Sequence, residues 1–73
     1  MDRKTIEPAT KILLTEIHTK LDEAARIAKA AEACAAAGAV TEGVSVSMDI
    51  EQLIYEAGRL GDAASLLNRL SRE

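Results

Sequence analysis

The sequence is poor in the residues that build a large hydrophobic core. It has no Phe and no Trp, and Tyr55 is its only aromatic residue. Because a buried aromatic side chain removes about 150–250 Å² from water, the chain lacks the strongest source of buried area. Fourteen of its 73 residues are Ala. One core supplies little net stability below roughly 70–80 residues. We therefore expect residues 1–73 to form a single domain that gains stability from a partner chain.

The sequence also lacks the side chains of an active site or a metal centre. Cys34 is the only Cys and His18 is the only His. One Cys cannot form an internal disulfide, and a zinc ion needs three or four ligands. A catalytic thiolate needs an adjacent base or positive charge, and His18 lies several helical turns from Cys34. We predict no catalytic residue, no metal site and no cofactor, in a protein that is not an enzyme.

Basic residues are absent between Ala30 and Gly58, and the net charge of the chain is −3. Nucleic-acid binding needs a basic surface, so this composition disfavours it. The first dozen residues are charged, and charged residues interrupt the Ala-rich stretch 24–40. Neither pattern is typical of a signal peptide or a membrane span. Together with a lone reduced Cys, this predicts a cytoplasmic protein that does not bind membranes.

Apolar residues in the first half recur at intervals of three and four, which is the spacing of an α-helix. The expected stripe consists of Leu13, Ile17, Leu21, Ala24, Ala28, Ala31 and Ala35. Pro8 suits a first helical turn, and Gly38 suits the position after a last one. We predict one long helix over residues 8–37.

Residues 38–48 have a different pattern. Glu42-Gly43 is typical of a turn, and Val44, Val46 and Met48 alternate with serines, as in a strand. We expect an extended connection that places its valines on the core. The alternative is a short strand that pairs with another chain.

Residues 49–72 are predicted to form a helical arm that begins at Asp49, a good N-cap. Its two apolar stripes, 50–57 and 63–70, are rotated by roughly 140° from each other on a straight helix. Gly58 and Gly61 lie between them, which favours a kink or break near Gly58-Gly61. The alternative is a continuous helix with an unbroken heptad pattern, in which Ala28 faces Gly58. Either version is all-α, a helical hairpin or three helices.

Two short segments resemble known families. Residues 57–67 resemble the mid-repeat turn of tetratricopeptide repeats through Gly58 and Ala63, which implies a helix–turn–helix and no ligand. No second copy follows, which excludes a solenoid. Residues 44–48, followed by helix, Gly and helix, are similar in order to the ribbon-helix-helix family. That resemblance implies a dimeric DNA-binding regulator, although no Lys or Arg accompanies the strand.

Some apolar residues lie beside or outside the main stripe of the long helix, and others form a second apolar patch on the C-terminal arm. We predict that six of them form a protein interface: Ile12, Ile27, Cys34, Tyr55, Leu66 and Leu70. A second apolar face on a helical protein favours a partner helix. The chain is therefore expected to be a self-associating interaction or adaptor module, a homodimeric helical bundle, with another helical protein as a further possible partner. Its specific cellular role is not predicted.

Overall fold

The computed structural model describes residues 2–72, which form three helices. These are α1 (Arg3–Ala36), α2 (Val40–Ser47) and α3 (Ile50–Ser71). Both α2 and α3 pack on α1, and together they form one C-terminal arm with a bend of 28°. No strand occurs within residues 2–72. The prediction of an all-α helical hairpin is therefore confirmed.

Helix α1 begins at Arg3, five residues before the predicted start at Pro8. Asp2 is the N-cap, and its side chain accepts a hydrogen bond of 3.0 Å from the amide of Lys4. Pro8 therefore lies inside the helix, where it removes the amide that would bond to the carbonyl of Lys4. The extra turn is stabilised by Ile6, which is only 3% exposed.

The extended connection predicted for residues 38–48 is wrong, because α2 occupies most of it. Gly38 has a φ of 90° and forms the turn after α1. Gly43 is buried, and a Cβ added to it would lie 2.8 Å from the carbonyl oxygen of Ala31. The missing side chain lets the α2 backbone pack closely on α1, so tertiary packing overrides the strand-like alternation. The ribbon-helix-helix alternative loses the strand on which it depends.

The C-terminal arm is bent, but α3 does not break near Gly58-Gly61. It runs unbroken from Ile50 to Ser71, and the arm is interrupted instead at Met48 and Asp49. Neither Gly58 nor Gly61 has a positive φ. Two glycines cost about 1 kcal/mol each within a helix. That cost is smaller than the loss of packing that a break would impose on the apolar positions of the second half of α3.

The face of α1 that contacts the arm differs from the predicted stripe. Leu21, Ala28 and Ala35 are exposed, whereas Lys20, Ile27 and Cys34 are partly buried. The expected stripe has the spacing of a straight helix, about 3.6 residues per turn. The observed seam repeats about every 3.5 residues, as in two helices that supercoil around each other. It comprises Ile6, Thr10, Leu13, Ile17, Lys20, Ala24, Ile27, Ala31 and Cys34.

The hairpin is long and thin. Its Cα atoms extend over 54 × 14 × 11 Å, with a radius of gyration of 16.7 Å. A compact chain of this length would have a radius of about 11 Å. The buried hydrophobic residues of the described chain are Ile6, Ala24, Ala57 and Ala64. Three of the four are alanines, so the core within one chain is small.

Candidate interaction surface

The register of the hairpin is set by contacts at two levels. Gly43 lies against Cys34 and Ala31 near the turn. Further along, Lys20 Nζ donates a hydrogen bond of 3.0 Å to Glu56 Oε1. Both contacts fit one antiparallel register in which the seam of the arm faces the seam of α1. The seam of the arm has the same spacing and consists of Ala39, Gly43, Val46, Ile50, Leu53, Ala57, Leu60, Ala64, Leu67 and Ser71. The predicted register, with Ala28 opposite Gly58, is wrong because α2 packs on α1 rather than connecting its end to α3.

One side of the hairpin is acidic, and we call it the polar flank. In the observed register, two helical stripes beside the seam form this flank, and they include Glu16, Glu23, Glu42, Asp49 and Glu56. Lys20 reaches this side from the seam. Its hydrogen bond to Glu56 and the charges of Glu56, Glu16 and Glu23 raise its pKa. Hydrogen bonds from Gln52 and Lys20 lower the pKa of Glu56.

The opposite side of the hairpin is apolar, and we call it the apolar flank. On α1 it consists of the residues that immediately follow every second seam position, namely Leu13, Lys20, Ile27 and Cys34, and on the arm of those that follow Ala39 and Leu53. Its apolar members are Leu14, Leu21, Ala28 and Ala35 of α1, and Val40 and Ile54 of the arm, with Val44 at its edge. The five large side chains among them are exposed by 44% to 59%. The two flank positions between Leu14 and Ala35, Leu21 and Ala28, are uncharged, whereas Glu32 follows the seam residue Ala31 and borders the flank.

A third surface, the outer face of α3, points away from α1. Its exposed apolar residues are Tyr55 and Leu66, and Met48 is exposed just before the helix begins. Arg59 and Asp62 lie between Tyr55 and Leu66 on the same side of the helix and are exposed. The apolar residues of this face are therefore separated by charge, and they come from the arm alone.

The six residues predicted to form an interface do not lie on one surface. Tyr55 and Leu66 lie on the outer face of α3, and Ile12 lies on the outer side of α1. Ile27 and Cys34 belong to the seam and are partly buried inside the hairpin, and Leu70 is partly buried at the polar flank.

The residues of the apolar flank were missed as a group at the sequence level. Leu21, Ala28 and Ala35 belong to the stripe that the sequence predicts for the core, and the valines belong to the predicted extended connection. The signal was present in the heptad pattern. Reading the seam with a 3.5-residue period moves Leu14 and Leu21 to a flank.

Within residues 2–72 no three His, Cys, Asp or Glu side chains come together where they could hold an ion. Cys34 is a free thiol, partly buried in the seam, and His18 is exposed on α1. Among the described helices, none combines the length and the hydropathy needed to cross a bilayer.

Comparison of the chain with protein-family models, curated proteins and solved structures finds no match.

Proposed function

We propose that this protein is a non-enzymatic interaction module, whose helical hairpin associates with other helices and, in the first place, with a second copy of itself. The observation that supports this proposal is the distribution of apolar side chains. Within residues 2–72, three of the four buried hydrophobic residues are Ala, whereas nine large hydrophobic residues are exposed. Five of the nine lie on the apolar flank. Exposed apolar residues that share one surface favour a partner, whereas scattered ones need no explanation.

The total surface of the hairpin supports the same proposal. Its accessible area is 5353 Å². A compact monomer of 7.8 kDa would expose about 4,400 Å². The excess is close to the roughly 800 Å² that each partner contributes to a protein–protein interface of standard size. Association along the length of the hairpin would thus bring the exposed area per chain near that of an ordinary folded protein.

The proposal is tested by the mass of the protein in solution. Sedimentation equilibrium over micromolar to millimolar concentrations should show a species of about twice 7.8 kDa that dissociates on dilution. Helicity from circular dichroism should be followed over the same range. A mass of 7.8 kDa at every concentration, with full helicity, would contradict self-association.

If the partner is a different helical protein, we expect it to bind the same apolar flank. An amphipathic helix binds a partner by laying its apolar side on an apolar surface of this kind. The two cases differ in one measurement. A heterotypic module stays monomeric when purified alone, whereas a self-associating one does not.

A further inference from the structure

We propose that the apolar flank binds the apolar flank of a second copy, with the two hairpins antiparallel. Each open end, formed by the start of α1 and the end of α3, then lies over the partner's closed end, where α1 turns into α2. This inference rests on the proposed self-association and adds the surface and the orientation. The product is a four-helix bundle with a twofold axis perpendicular to its length.

Charge is distributed unevenly along the hairpin. Because Lys20 lies beside Glu56, the half of the hairpin at the closed end is residues 20–57, which contain seven acidic and three basic residues. The rest of the chain contains six basic residues and five acidic ones. At the open end, Arg3, Lys11 and Arg72 line a shallow depression between α1 and α3 together with Glu7, which forms an ion pair of 3.9 Å with Arg3. The hairpin is therefore negative at one end and positive at the other.

The same polarity appears at the edge of the apolar flank. Lys11 and Arg72 border the flank at the open end, and Glu32 and Glu51 border it at the closed end. All four side chains belong to exposed residues. Within residues 2–72, none of the four forms an ion pair inside its own hairpin. They are available to a partner.

Only the antiparallel arrangement matches these charges. It places the open end of each copy, which carries Lys11 and Arg72, over the half of the other copy that carries Glu32 and Glu51, and the twofold axis makes every such contact occur twice. A parallel arrangement would place the two acidic closed ends side by side, which opposes association.

The other two surfaces fit a second copy less well. Pairing the polar flanks would bring five acidic residues of each copy together. On the outer face of α3, Arg59 and Asp62 interrupt the apolar residues. The apolar flank is the surface to which both α1 and the arm contribute large uncharged side chains, and a pair of such flanks can bury them all.

Orientation is tested with a polarity-reversed variant, Lys11→Glu, Glu32→Lys, Glu51→Lys and Arg72→Glu. In the antiparallel dimer this variant pairs with itself as the natural chain does. A mixed pair of variant and natural chain brings like charges together at both ends. Native mass spectrometry of an equilibrated mixture at low salt should therefore show at least about a tenfold preference for self-pairing. Added salt should weaken the preference.

The control reverses charges away from the flank. Asp22 and Arg26 form an exposed ion pair of 3.7 Å on α1. The variant Asp22→Lys with Arg26→Glu should mix freely with the natural chain. If the polarity-reversed variant also mixes freely, or prefers the natural chain, the antiparallel orientation is overturned.

The surface is tested by two substitutions of matched size and charge. Leu21→Lys lies on the apolar flank, and Leu66→Lys on the outer face of α3. We expect the first to raise the dimer dissociation constant at least about tenfold and the second to leave it nearly unchanged. The reverse pattern would overturn the assignment of the dimer interface to the apolar flank while leaving self-association intact. A natural chain that stays monomeric throughout would instead remove the proposed function, so the two failures are distinguishable.

Discussion

Replacing Gly43 by Ala tests the closest packing in the hairpin. Gly43 lies in α2 and is buried against α1. An added Cβ would lie 2.8 Å from the carbonyl oxygen of Ala31 and 3.5 Å from both the amide nitrogen of Ala35 and Cys34 Cβ. The nearest atom belongs to the backbone of a helix, which cannot rotate away as a side chain can. The substitution must therefore push α2 away from α1.

The expected magnitude follows from two opposing effects. Ala is favoured over Gly inside a helix by about 1 kcal/mol. Overpacking a close contact costs about 1–3 kcal/mol. We expect Gly43→Ala to lower the free energy of unfolding by up to about 2 kcal/mol. For a domain of this size that corresponds to a fall in Tm of up to about 8–16 °C.

Gly58→Ala is the matched control. Gly58 lies in the interior of α3, and an added Cβ would have nothing within 4 Å. Both substitutions reduce the entropy of the unfolded chain in the same way, so this effect cancels in the comparison. We expect Gly58→Ala to raise the free energy of unfolding by about 0.5–1 kcal/mol.

Urea denaturation followed by circular dichroism, at one fixed protein concentration, measures both variants. Fixing the concentration matters because association would stabilise the folded chain by mass action. If Gly43→Ala is as stable as Gly58→Ala, α2 does not pack on α1 in this way, and the reasoning fails.

Two further predictions concern the turn and the ion pair. Gly38→Ala should lower the free energy of unfolding by about 1–2 kcal/mol, because Gly38 has a φ of 90° that Ala adopts only with strain. Thermal melts measure this loss, and Gly38→Asn should lose less stability in them. An unchanged Tm for Gly38→Ala would contradict the left-handed turn. Glu56→Gln should lower the Tm near neutral pH, because the lowered pKa of Glu56 makes its ionised form stabilising. This contribution is complete above the ordinary value of 4.5 and is lost as the pH falls through the lowered pKa, so the two melting curves should converge in acid. A difference that persists well below pH 4.5 would contradict it.

The sequence was sufficient to predict the long helices, but it was insufficient to predict which side of each helix is buried. Periodicity and helix-forming residues predicted α1 and the arm, because both are local properties. The face that α1 buries depends instead on supercoiling with the arm, which changes the repeat from about 3.6 to 3.5 residues. Over the length of α1 this small difference exchanges Leu21, Ala28 and Ala35 for Lys20, Ile27 and Cys34.

Helix α2 could not be predicted because its strongest local signals point elsewhere. Glu42-Gly43 is typical of a turn, and alternating Val and Ser are typical of a strand. The glycine is used for close approach to Ala31 instead, which is a contact with a residue twelve positions away in the chain. No local pattern reports a contact of that kind. Because α2 packs on α1 through this contact, the register of the whole hairpin also differs from the predicted one, in which Ala28 faces Gly58.

The two flanks beside the seam differ in charge. Packing along the seam does not require this difference. A hairpin that remains alone gains solubility from charge on either side. Here the polar flank contains acidic residues on both α1 and the arm, whereas the α1 positions of the apolar flank, Leu14, Leu21, Ala28 and Ala35, are uncharged. Keeping large side chains such as Leu21 and Ile54 half exposed opposes solubility, unless a partner covers them. Basic residues at one end of this flank and acidic ones at the other then select one orientation of that partner, which apolar contacts alone would not do.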